Sequence, residues 1–223
     1  MCATKYNSQP QQRKIALIIG ISDYENKPYL KNSINDANSM NQALQSIGFK
    51  TMLGCNLKYG EMEKIIQKFL SIIEFSDVVL FYFSGHGFHY KNVNYLIPLD
   101  SLNTFESNIK YHAISTEFIL KSIEQKTCYV FICLLDCQGL KQICAPPMDC
   151  LIAIAYAPDE NDSYRDRDSL FTKHLLQNIT QSDKDIEKIL QDVVKGVEIE
   201  SDGQQILYRN GTLRHKDIYL NIH

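Results

Sequence analysis

The sequence predicts an α/β fold: a mostly parallel central sheet with helices on both faces. Three observations carry that reading. Short apolar runs look like buried strands, the stretches between them repeat apolar residues at helical spacing, and the two alternate along the chain. With 223 residues, 44% of them hydrophobic, the chain can bury a core of its own, and one domain is the default.

Residues 1–13 are polar, lack the apolar stretch of a secretory signal and read as a disordered tail, leaving residues 14–223 as the domain. Lys14–Gly20 is a continuous apolar run ending in glycine, as a strand buried on both faces would be. Ala37, Met40, Leu44 and Ile47 share one helical face, Gly48 stands where a left-handed cap is wanted, and a strand follows from Phe49. Met62, Ile65, Ile66, Phe69, Leu70 and Ile73 make the clearest helical stripe and lead into a strand over Asp77–Phe83. A loop comes next, then an extended pair around Asn94–Pro98, a helix over Thr116–Ile123 and a strand over Tyr129–Leu135. Leu151–Tyr156 adds a strand and Leu170–Ile179 a helix. Ile186, Ile189, Leu190, Val193, Val194 and Val197 stripe a last helix, and Gln205–Arg209 is placed to complete the sheet.

Composition excludes several classes of function. The formal net charge of -3 offers no bulk attraction to nucleic acid or to an anionic membrane. The longest apolar runs fall far short of the ~20 residues of a membrane span. Seven cysteines, an odd number with no export signal, read as thiols kept reduced in the cytoplasm. Neither zinc-ribbon cysteine spacing nor a regular cluster of calcium-binding carboxylates is present, so no cofactor or metal is expected. Gly20-Ile-Ser-Asp23 lacks the glycines of a nucleotide loop.

Parallel sheets place function at the C-terminal ends of their strands. Two such ends hold candidates. His86 stands between Gly85 and Gly87 after one strand, where small neighbours let a substrate backbone approach the imidazole. Cys137 follows another strand, with Gly139 two residues on. A thiol nucleophile needs a nearby base, and neighbouring strand ends of one sheet can supply the pair. The His-to-Cys spacing of 51 residues and the Cys137-Gln138-Gly139 tail match the caspase arrangement.

On these residues the chain resembles the caspase-like (clan CD) cysteine peptidases, most closely their paracaspase and metacaspase branches. Ile15–Gly20, Leu30–Ala37, Tyr82–Gly87, Leu96–Asp100 and Phe131–Gly139 carry the likeness, with Ile154–Ala157 and Leu170–Leu175 resembling the substrate-loop strand and the helix after it. The resemblance implies a caspase-like three-layer sandwich, with a large-subunit-like part over about residues 14–140 and a small-subunit-like part over about 150–223.

Carried over residue by residue, it implies Cys137 as nucleophile, His86 as general base and acid, the amides of Gly87 and Cys137 as oxyanion donors, and no third side chain to orient His86. It also implies an acidic S1 pocket for Arg or Lys, to which Asp36 contributes. The family's second pocket carboxylate lies two residues before the nucleophile, whereas Asp136 immediately precedes Cys137. Adjacent strand residues point to opposite faces, so Asp136 reaches the pocket only if the strand end is irregular or an intervening residue is missing. The resemblance implies a third carboxylate from the loop of Asp159, Glu160, Asp162, Asp166 and Asp168, among which it does not choose, Asp162 being one candidate. No Arg stands between Arg13 and Arg165 to receive an acidic P1 side chain.

The expected function is cleavage after Arg or Lys through a Cys–His dyad and an acyl-enzyme, on protein or peptide substrates. The alternative is a caspase-fold interaction module that has lost turnover. By analogy with paracaspases, two copies would pair through the strand at Gln205–Arg209. Neither a nucleic-acid nor a membrane partner is expected.

Overall fold

The computed structural model describes residues 12–101, 106–126, 128–143, 145–156, 169–215 and 217–222. Its strands are β1 (Lys14–Gly20), β2 (Lys50–Cys55), β3 (Val78–Tyr90), β4 (Val93–Leu96), β5 (Ile114–Ser115), β6 (Val130–Gln138), β7 (Cys150–Tyr156) and β8 (Ile206–Gly211). The helices are α1 (Ser33–Ser46), α2 (Tyr59–Ile72), α3 (Thr116–Glu124), α4 (Leu170–Asn178) and α5 (Ile186–Glu200).

The main sheet runs β2-β1-β3-β6-β7-β8. Every pairing from β2 to β7 is parallel, and β8 closes the edge antiparallel to β7. Each inner strand is buried on both faces, which is why its sequence shows an unbroken apolar run instead of alternation.

Two cores follow from the two faces. On one, Leu17, Phe81, Phe131, Cys133 and Leu135 meet Met62, Ile66 and Phe69 of α2 and Ile119 and Ile123 of α3. On the other, Ile18, Leu80, Tyr82, Ile132 and Leu134 meet Met40 and Leu44 of α1, Phe171 and Leu175 of α4 and Leu190 and Val193 of α5. Each such side chain taken from water contributes about 1.5–3 kcal/mol. The helices form where the stripes predict, and Gly48 caps α1 at φ +86.

Two differences from the sequence reading matter for the site. The strand expected to end at Phe83 continues through the Gly-His-Gly triplet to Tyr90, because its outer half pairs antiparallel with β4 across a tight turn in which Lys91 and Asn92 take positive φ. Likewise β6 runs beyond Leu135 to Gln138, held by an uninterrupted ladder to β3.

Behind β6 the chain crosses back as a strap. Asn94, 4% exposed on β4, donates its amide to Lys141 O (2.6 Å) and accepts from Lys141 N (3.0 Å). Asn210 donates to Ile143 O (3.1 Å) and Thr212 to Pro147 O. One side-chain amide thus serves the backbone of residue 141 much as a neighbouring strand would.

Candidate active site

The C-terminal ends of β1, β3 and β6 and the first turns of α1 and α4 converge on a layer of buried polar residues: Ser22, Asn32, Ser33, Asp36, Ser84 and Thr172, none more than 8% exposed. Polar groups this deep are expensive unless hydrogen-bonded. Asp36, 1% exposed, accepts from Ser169 N (2.8 Å) and Ser84 Oγ (3.2 Å). Asp136 accepts from Thr172 Oγ1 (2.9 Å) and from Ser169 Oγ. Thr172 Oγ1 lies 2.6 Å from Tyr82 OH. Ser169 is the N-cap of α4 and also accepts from Thr172 N (3.2 Å). The start of α4 therefore bridges the two carboxylates, one through its amide and the other through its hydroxyl.

The sequence reading allowed Asp136 into this pocket only through an irregular strand end or a missing residue. The strand end is regular: Ser84 pairs with Asp136, Gly85 with Cys137 and His86 with Gln138 in unbroken parallel register. Asp136 faces α4 because it shares the face of Leu134, Ile132 and Val130. The strand's alternation then sends Cys137 to the other face, with Leu135 and Cys133. Asp36 and Asp136 come together through the start of α4, and the thiol packs with the side chains of the opposite face of the sheet.

Cys137 is 2% exposed. Burial pushes its thiol well up from the ordinary range, Asp136 and Cys133 push the same way, and the Gly85 N–H beside it opposes them weakly. A thiol held protonated is a poor nucleophile. Tyr24 helps enclose it. A Cβ built on Gly85 would meet Tyr24 OH at 2.6 Å, so the phenol occupies the space left by the missing side chain. That hydroxyl accepts from His86 N (2.7 Å) and donates to Ile97 O (3.3 Å). Burial raises the Tyr24 phenol well above its usual value, and the nearby Cys137 adds to the shift.

His86 is oriented by the loop before α1. Its Nε2 lies 3.0 Å from the Pro28 carbonyl, which can only accept, so Nε2 carries a proton and donates it there. The ring also tilts against Tyr24 at 4.7 Å between centroids. The orienting group is a backbone carbonyl, which no side-chain pattern could have revealed. Gly87 pairs with Leu96, but the ladder bond at that point runs from Ile97 N to His86 O (3.0 Å), so the Gly87 amide is directed away from β4. Gly139 takes φ +84, and a Cβ there would meet Gly87 O at 2.6 Å, so glycine is required where this turn presses on the hairpin.

Ser169, Thr172, Ser84, Tyr24 and Asn32 were not among the sequence candidates. Asn32 and Ser84 fall inside motifs that carry the likeness and Ser169 is a serine just before a helical stripe, yet nothing in the sequence singled them out for the site. Asp162 lies outside the described residues. No described helix is long and apolar enough to cross a membrane.

A sheet of this order, with a histidine hairpin after its third strand and an acidic pair at the start of α1 and the end of β6, defines a caspase-like domain. The chain belongs to the caspase domain family, whose model matches residues 13–217, and that family is one of cysteine peptidases. It is 28% identical over 123 residues to the human mucosa-associated lymphoid tissue lymphoma translocation protein 1, a paracaspase, and likewise to the mouse homologue. Each match covers 55% of this chain but only 15% and 14% of those proteins, so the chain spans about a seventh of these relatives. In fold it is similar to the Drosophila initiator caspase Dronc, with a TM-score of 0.73 at 15% identity, covering 93% of this chain and 83% of that one. Caspase-1 of Spodoptera frugiperda gives 0.68 at 18% identity, covering 94% and 90%.

Proposed function

We propose that this chain is a caspase-fold binding module that receives a basic peptide side chain at Asp36 and Asp136 and does not cut the peptide. The observation that carries the reading is the register of β3 against β6. In the family pattern the nucleophile lies two residues after the pocket carboxylate. Two residues after Asp136 is Gln138, and Gln138 is also the register partner of His86. The familiar Cys137 is the residue between them, turned into the core.

The hydrolytic reading, with Cys137 and His86 as the dyad and Arg or Lys at P1, has its own support in the histidine, whose Nε2 is fixed on Pro28 O. It requires Cys137 to leave the apolar face, a one-residue slip of the end of β6 that would carry Asp136 away from Ser169 and Thr172. The test is hydrolysis of fluorogenic peptides ending in Arg, Lys or Asp by the wild-type chain and by Cys137→Ala. The binding reading expects no difference between the two proteins. Cleavage after Arg that Cys137→Ala abolishes would overturn it. We further propose that two copies pair along the outer edge of β8, and light scattering near the 25.7 kDa of one chain at high concentration would count against this.

A further inference from the structure

Asn32 is the N-cap of α1, yet its side chain makes no cap bond. An asparagine at this position normally accepts from an amide of the first turn. Here the Ile34 amide donates instead to Ser22 Oγ, at 3.3 Å. Asn32 Oδ1 is left buried, in a residue 8% exposed, with no hydrogen-bond partner among the described residues. A buried carbonyl oxygen without a donor destabilises the fold that contains it, so its retention at this place needs a reason.

Its position supplies one. Asn32 and Asp36 are four residues apart, joined by the bond from Asp36 N to Asn32 O (2.8 Å), so they lie one above the other on the same face of α1. Asp36 is tied through Ser169 to Asp136, and both Ser169 and Asp136 are partly exposed, which gives this layer its opening to solvent. The cluster presents two carboxylates and one orphan carbonyl. An anion would meet both carboxylates, so the positive end of the helix does not make this an anion site. A cation with many N–H groups is the fitting ligand. Arginine presents five donors in a planar fork, lysine three on a single point.

We propose that Asn32 is a specificity residue of the acidic site, its Oδ1 accepting an N–H of a bound arginine guanidinium and so favouring Arg over Lys. This rests on the reading of Asp36 and Asp136 as a basic-peptide site. Entry of the guanidinium displaces the Ser169 hydroxyl from Asp136 and supplies the donor that Asn32 lacks.

The experiment is calorimetric titration of the full chain with two blocked peptides that differ only in Arg or Lys, for wild type, Asn32→Ala and Asn32→Asp, with the unliganded Tm of each. Wild type is expected to bind the Arg peptide more tightly. Asn32→Ala should weaken it about tenfold, the loss of one hydrogen bond to a charged group, and change the Lys peptide less than about twofold. Its unliganded Tm should hold or rise, because an unsatisfied acceptor has been removed. Asn32→Asp, which keeps an acceptor, should retain the Arg preference. Equal weakening of both peptides, no weakening of either, or a fall in the unliganded Tm of Asn32→Ala would overturn the role of Asn32 alone. Failure of the wild type to bind either peptide would overturn the site reading together with it.

Discussion

Replacing Cys137 by serine is expected to destabilise the fold by about 2 kcal/mol, an effect that separates a core thiol from one poised for chemistry. The side chain is 2% exposed and packs in the layer formed by Leu135, Cys133 and Tyr24. At about 25 cal/mol/Å², the buried sulfur contributes roughly 1 kcal/mol that the smaller, polar oxygen does not recover. Burying the hydroxyl adds a desolvation cost of roughly 1–3 kcal/mol, reduced here because the Gly85 N–H beside the thiol can donate to it. For a chain of this length each kcal/mol moves Tm by about 2–4 °C, so thermal unfolding followed by circular dichroism should show a fall of about 4–8 °C. The control is Cys55→Ser on the exposed edge strand, expected within about 0.5 kcal/mol of wild type. A Cys137→Ser variant as stable as wild type, or more so, would refute the core assignment, since that is how a thiol in an open site responds.

Other parts of the structure give equally direct expectations. Ser169→Ala removes a helix cap and the hydroxyl bond to Asp136 while keeping the amide on Asp36, so urea unfolding should show a loss of about 2–3 kcal/mol. The Arg214 guanidinium holds the buried Asp149 carboxyl below the usual carboxylate range. Its folded value is therefore depressed: the stabilisation is present above the unfolded value of about 3.9 and is lost as pH falls through the folded one. The Tm of wild type should accordingly drop more steeply below about pH 4 than that of Asp149→Asn, and parallel curves would contradict the pairing. Because Asn94 and Asn210 hold the strap, trypsin should spare Lys141 in the native protein and cut there first in Asn94→Ala. Cleavage of native wild type at Lys141 would show that the clamp does not hold.

The sheet was legible because its strands are buried on both faces and its helices carry long apolar stripes; both patterns survive in local sequence. Strand ends were less so. Nothing in Ser84–Tyr90 announces that β3 continues, because that half is held by pairing with β4, a contact between segments. The site was half legible for the same reason. The resemblance singled out Asp36, Asp136, His86 and Cys137 from their motifs and spacing, but not the face of the sheet on which each side chain lies. Whether Cys137 lies on the core face depends on whether β6 contains a bulge, and bulges are set by the neighbouring strand's hydrogen bonds. The orienting carbonyl of Pro28 and the bridging role of Ser169 likewise arise only when distant segments meet.

The central claim, that Cys137 is packed into the core and not presented to a substrate, is tested most directly by an arginyl peptide carrying a thiol-reactive electrophile, with adducts located by mass spectrometry. The native wild-type chain should gain no adduct at Cys137. Peptide-directed labelling of Cys137 in the folded wild type, lost in His86→Ala, would contradict the account and restore the dyad to Cys137.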